Sequence, residues 1–137
     1  MKLWKVLLLW TWSFTTGQEE TASCVPLQTC LLPCRLDKGK ADLIEWTHTK
    51  MFGTVHVLRD GKDELKNQNK AFRGRSALFP EEALKGNLSL QLSQVTLSDE
   101  GTYLCRSISY SPEFILNEKR VHLRLEGDEK DFSRFLQ

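Results

Sequence analysis

The sequence predicts an all-β domain in which two antiparallel sheets pack face to face and are joined by Greek-key connections. Three observations point there. The stretch Asp99-Glu-Gly-Thr-Tyr-Leu-Cys105 has the pattern D-x-G-x-Y-x-C, an acidic turn followed by a Tyr and, two residues on, a Cys. Cys34 stands 71 residues before Cys105, and Trp46 stands 12 residues after Cys34. Between these marks, short segments alternate apolar and polar residues with a period of two and are separated by Gly- and Asp-containing turns.

The elements follow in order. Met1-Lys2-Leu3-Trp4-Lys5 is a short basic start, Val6 to Phe14 is almost wholly apolar, and Thr15-Thr16-Gly17 is a small-residue exit. Residues 1–17 therefore read as a secretory signal peptide. The apolar run is about half the length that crosses a bilayer as a helix. Read instead as a buried helix, it would leave Trp4, Trp10 and Trp12 without a core to enter. Without residues 1–17 the chain has 120 residues, with 17 basic against 18 acidic side chains, a net −1. That is one domain's length, and the near balance argues against a nucleic-acid binder, which usually carries a basic surplus. No later apolar run reaches membrane-spanning length. The expectation is a secreted protein, or one on the external side of the plasma membrane whose anchor this sequence lacks.

The domain is expected over 18–126. Residues 18–23 are polar and read as a loose lead-in. From Cys24 to Cys34 the alternation puts Cys30, Leu32 and Cys34 on one face, with Pro33 on the other, where its missing N–H is tolerated. Asp37 to Lys40 is a turn. Leu43 to His48 is a strand with Ile44 and Trp46 inward and Glu45 and Thr47 outward. Val55 to Leu58 is a short strand closed by the Asp60-Gly61 hairpin turn, and Lys62 to Lys70 continues as an exposed ribbon. Phe72 to Phe79 reads as a strand, Pro80 to Gly86 as a turn or single helical loop. Leu88, Leu90 and Leu92 are inward on the next strand, with Val95 continuing the core. Thr102 to Ile108 is a strand, Ser109 to Asn117 a loop and Arg120 to Leu125 the last strand. Residues 127–137 form a charged tail expected to be disordered.

Taken together, these marks resemble the immunoglobulin V-set sandwich. The extra strand pair at 55–70 and the long spacing between Cys34 and Cys105 are the variable-type features. Four cysteines in an exported chain permit three pairings. The sandwich template implies Cys34–Cys105 as the core bridge and leaves Cys24–Cys30 as the second. It gives Trp46 and Tyr103 structural roles, and implies that Arg75 and Asp99 form an ion pair closing one end of the sandwich. A zinc site is disfavoured, because C-x5-C-x3-C has no paired C-x2-C knuckle and His48, His56 and His122 fall on different strands. Asp99-Glu100 sits in a turn with no cleft, and neither a nucleophile elbow nor a Gly-rich phosphate loop occurs. The chain is thus read as no enzyme, without cofactor, metal or small-molecule substrate. Asn87-Leu88-Ser89 is its only N-x-S/T sequon, so Asn87 is expected to be glycosylated on export.

Three stretches carry a narrower resemblance. They are Cys24-x5-Cys30-x3-Cys34 with Leu-Pro before the last Cys, the run Phe72-Arg-Gly-Arg-Ser-Ala-Leu-Phe-Pro-Glu-Glu82, and Gly86 through Cys105. Over roughly 23–126 the chain resembles the membrane-distal variable-type domain of butyrophilin-like proteins, relatives of the T-cell costimulatory ligands. It departs from them in lacking a constant-type domain and a membrane span. Trp46 is followed by Thr47-His48-Thr49 rather than Tyr-x-Gln, and the last strand lacks the Phe-Gly-x-Gly bulge of rearranging antigen receptors. The resemblance implies a ligand for a lymphocyte receptor that modulates T-cell activation. It also implies a binding face on the sheet that holds the Trp46 strand, here Thr47, His56, Leu104 and Arg106 with Tyr110 and Phe114 in the adjoining loop. Two other readings use the same fold: a homophilic adhesion module that pairs as a homodimer through that face, and a soluble decoy of the same family.

Overall fold

A computed structural model describes residues 19–36 and 40–127. The expected signal peptide, the tail beyond Gly127 and the centre of the Asp37–Lys40 turn lie outside the described residues. Among the described residues there are nine strands: β1 Glu19–Cys24, β2 Cys30–Leu32, β3 Leu43–His48, β4 His56–Arg59, β5 Lys62–Asp63, β6 Ser76–Ala77, β7 Leu90–Leu92, β8 Gly101–Ser109 and β9 Ile115–Leu125. They form a six-stranded sheet in the order β1-β9-β8-β3-β4-β5 and a three-stranded sheet in the order β2-β7-β6. All pairings are antiparallel except β1 with β9.

The two sheets close over side chains that the period-two pattern points inward. Trp46, Tyr103, Phe72, Leu32, Leu90, Leu92, Leu123 and Val121 are fully buried. The Trp46 indole N–H donates to the Leu88 carbonyl at 2.8 Å, so the largest core residue leaves no polar atom unpaired and ties the two sheets together.

Cys34 is bonded to Cys105 and Cys24 to Cys30. Because β1 belongs to the larger sheet and β2 to the smaller, the short bridge also joins the two sheets. In the chain-entropy account, closing the 71-residue separation contributes about 4 kcal/mol and closing the 6-residue one about 2 kcal/mol.

Three expectations need correction. Residues 19–24 are a strand, not a loose lead-in: Ala22 and Cys24 are buried while Thr21 and Ser23 are exposed, and the register runs from Glu19 opposite Arg120 to Cys24 opposite Leu125. With its small side chains this segment pairs along the edge of β9 without a hydrophobic run to announce it. The 72–79 strand shrinks to Ser76–Ala77. Lys70–Phe72 is a 3-10 turn capped by the Asn69 side chain, which accepts from the Ala71 N–H at 2.8 Å, and Gly74 takes φ +74°. The turn drops Phe72 into the core. Third, the loop after β8 is short: β8 runs to Ser109 and β9 begins at Ile115, so Tyr110–Phe114 is the tip of a long hairpin. The Asp60-Gly61 turn has φ +50° and +79°, the left-handed pair a tight hairpin between β4 and β5 demands.

Candidate functional site: the outer face of the six-stranded sheet

The corner that launches β8 fixes everything above it. Asp99 accepts two hydrogen bonds from the Arg75 guanidinium, Nη1 to Oδ2 at 2.9 Å and Nη2 to Oδ1 at 2.8 Å. The Thr96 N–H donates to Oδ2 at 3.0 Å, and the Tyr103 hydroxyl donates to the Asp99 carbonyl at 2.6 Å. Arg75 also donates to the carbonyls of Ala71 and Ser93 and lies 5.6 Å over the Phe72 ring. Asp99 is buried, so an unpaired charge there would be costly, and the fork-to-fork geometry satisfies it. Hydrogen bonding to Asp99 raises the Arg75 pKa further. Burial, reinforced by the Asp99 charge and opposed by Arg75, pushes the Tyr103 phenol well above its usual range.

With Tyr103, Cys105 and Ser107 inward, Leu104, Arg106 and Ile108 must face out. The register then builds rungs across the face. Thr47 pairs with Leu104, and Leu104 with Arg120. One rung on, Glu45, Arg106 and Glu118 lie side by side, and Arg106 bonds both carboxylates. Hydrogen bonding to Glu118 is the main reason its pKa is raised. Beyond that rung the face turns apolar: Leu43, Ile108 and Leu116 are in register, and Tyr110 and Phe114 pack at 6.0 Å between ring centroids at the hairpin tip. Tyr110, Phe114 and Leu116 remain 50%, 63% and 48% exposed.

Five of the six expected face residues, Thr47, Leu104, Arg106, Tyr110 and Phe114, are therefore on one continuous surface, although Arg106 is held in ion pairs. His56 is not on it. It is buried inside, its Nδ1 2.7 Å from Ser76 Oγ and its Nε2 2.9 Å from Asp63 Oδ1. Gln68 Nε2 donates to the same Ser76 oxygen at 3.0 Å. His56 is thus a polar strut joining β4, β5 and β6. Val55-His56-Val57-Leu58 is buried throughout, so alternation gives no clue to which way the His points. Glu118, Ile108 and Leu116 were missed as face residues, and Glu45, expected to point outward, was left out of the binding set. Ile108 continues the outward alternation of Leu104 and Arg106, and the alternation of Leu116, Glu118 and Arg120 would have found the other two, had 109–117 not been read as a loop.

Asn87 lies away from this face, bridged to Arg35 at the entrance to β7. A cleft of about 280 Å³ opens between the sheets beside the short helix Pro80–Ala83, lined by Ala41, Ile44, Leu58, Asp60, Ala83 and Leu84 among others. Its polar side chains are Lys40, Asp60 and Glu81, with no Ser, Cys or His among the lining residues.

The Immunoglobulin V-set domain family matches residues 15–126. The chain belongs to that family. As a V-set domain it is 45% identical over 67 residues to human "V-set domain-containing T-cell activation inhibitor 1", covering 49% of this chain and 24% of the relative. Human "Butyrophilin subfamily 1 member A1" is 31% identical over 112 residues, 80% of this chain and 21% of the relative. The chain thus spans about a quarter of the length of these curated relatives. Among solved structures the human B7-H4 IgV-like domain superposes with a TM-score of 0.70 at 30% identity, covering 77% of this chain and 91% of that one. The V-set relatives include the butyrophilin expected from the sequence, and none of these three is described as an enzyme.

Proposed function

We propose that this V-set domain is a recognition module that binds a protein receptor on lymphocytes and modulates T-cell activation, acting outside the cell or at its outer surface. The observation that supports it best is the 45% identity to a T-cell activation inhibitor, joined to a face that ends in an exposed apolar hairpin tip. Contact centres on Tyr110, Phe114, Leu116 and Ile108. Aromatic side chains there supply large area at low entropic cost, and the neutralised Glu45-Arg106-Glu118 rung forms a polar border. Thr47 and Leu104 extend the surface toward the corner.

The test is staining of activated lymphocytes by a fluorescent multimer of the domain. Phe114→Ser with Leu116→Ser is expected to abolish staining, and Gln91→Glu on β7, in the opposite sheet, to leave it unchanged. Arg106→Glu is the poorer probe, because it sets a third carboxylate between Glu45 and Glu118. Staining by wild type that both variants share would remove the face from consideration, and absence of wild-type staining would remove the lymphocyte receptor. Sedimentation showing a dimer that the tip substitutions dissolve would favour homophilic pairing instead.

A further inference from the structure

The sequon Asn87-Leu88-Ser89 plays no part in the face just described. Leu88 is buried and its carbonyl takes the Trp46 indole, so the middle of the sequon is pinned to the core. Asn87 itself is half-buried, and its carboxamide has two unlike edges. The oxygen is turned to the chain, accepting from the Ser89 hydroxyl at 2.7 Å and the Ser89 N–H at 3.3 Å. Ser89 Oγ in turn accepts from the Cys34 N–H at 3.1 Å, which holds the hydroxyl in place. The nitrogen is turned the other way and donates to Glu82 Oε1 at 3.1 Å, on a side chain that is 48% exposed.

We propose that Asn87 carries an N-linked oligosaccharide on Nδ2, projecting from the Pro80–Ala83 end of the smaller sheet and leaving the β3-β8-β9 face open. Only the nitrogen edge needs room for the sugar, and that edge looks toward solvent past an exposed carboxylate. The oxygen-edge bonds to Ser89 survive modification, because the carbonyl oxygen is unchanged. In the transfer, C1 of the terminal N-acetylglucosamine of a lipid-diphosphate-linked oligosaccharide bonds to Nδ2. The bond from C1 to the diphosphate oxygen breaks, the lipid diphosphate leaves with its electron pair, and one amide proton goes to a base of the transferring enzyme. No atom changes oxidation state. The inference rests on export and on the Asn87 geometry, not on any receptor.

The test uses the full chain, residues 1–137, expressed in mammalian cells and recovered from medium and secretory compartments. Intact mass is measured before and after peptide N-glycosidase treatment, and the Asn87 peptide is mapped. The expected result is a mass increment that the glycosidase removes, leaving Asp at position 87, since no other sequon exists. Asn87→Gln should lose the increment and Ser89→Thr should keep it. Wild-type peptide carrying unmodified Asn87 overturns the proposal. Mapping the wild type gives this answer even if Asn87→Gln fails to fold, and a null staining result has no bearing on it.

Discussion

The two ends of β8 differ in everything but the strand they share. At its start, Tyr103 is buried and its hydroxyl donates to Asp99, whose carboxylate is held by Arg75 and Thr96. At its far end, the strand runs into Tyr110 and Phe114, large rings packed on each other and open to solvent. One end satisfies every polar atom and buries its ring. The other keeps apolar area uncovered, which stabilises nothing until a partner covers it. Stability and the proposed recognition then fall at opposite ends of one element, and substitutions should sort by end.

The largest effect is expected at the corner. Arg75→Ala should cost about 3 kcal/mol in denaturant unfolding, because Asp99 stays buried without its partner. The double variant with Asp99→Ala should recover part of that loss. Additive losses in the double-mutant cycle would mean the two ends differ for some other reason. At a temperature where the Arg75 variant remains folded, its lymphocyte staining should match wild type.

His56 tests where the boundary lies. If it is the strut described above, His56→Ala should cost about 2 kcal/mol, from a lost core side chain and two severed hydrogen bonds, again with staining retained. Loss of staining without loss of stability would return His56 to the recognition face.

What the sequence made legible follows the same division. The corner was readable, because Asp99, Gly101, Tyr103 and Cys105 each have one role that their spacing declares. Outward Thr47, Leu104 and Arg106 followed from strand periodicity alone. His56 was placed on the wrong side, because a segment buried on both faces has no alternation to read. Strand β1 was hidden by small side chains, although its inward Ala22 and Cys24 do alternate with Thr21 and Ser23. The hairpin tip was blurred because Ser109, Ser111, Pro112 and Asn117 have turn composition, while the long β8-β9 pairing takes Ser109 and Asn117 into the strands and leaves only Ser111 and Pro112 in the turn. The Glu45-Arg106-Glu118 rung depends on register across three strands, which no single stretch of sequence contains.

The tip should behave in the opposite sense from the corner. Phe114→Ser changes an exposed ring with no core contact, so stability should stay within about 0.5 kcal/mol of wild type. If recognition runs through this end, multimer staining should fall at least about tenfold, as loss of one aromatic anchor does. A stability loss comparable to that of Arg75→Ala would show the tip to be part of the fold, and the contrast between the ends would fail.

The smallest effect is silent at neutral pH, and the sequence supplies its own pair of reporters. The chain has two tyrosines, one at each end of this contrast. Burial, with help from the Asp99 charge, raises the Tyr103 pKa in the folded state above the value of about 10 for an unfolded chain. A raised folded pKa means that the neutral phenol is favoured by folding. The associated stability is complete below about pH 10 and is lost as pH rises beyond it, since the unfolded chain then releases a proton that the folded one retains. Alkaline titration followed by phenolate absorbance should show Tyr103 ionising together with the loss of native circular dichroism, not before it. In Tyr110→Phe this should be the only phenolate step. A reversible step in that variant with the native spectrum intact would mean that the Tyr103 hydroxyl is not sealed against Asp99, and the corner would be less unlike the tip than the structure makes it.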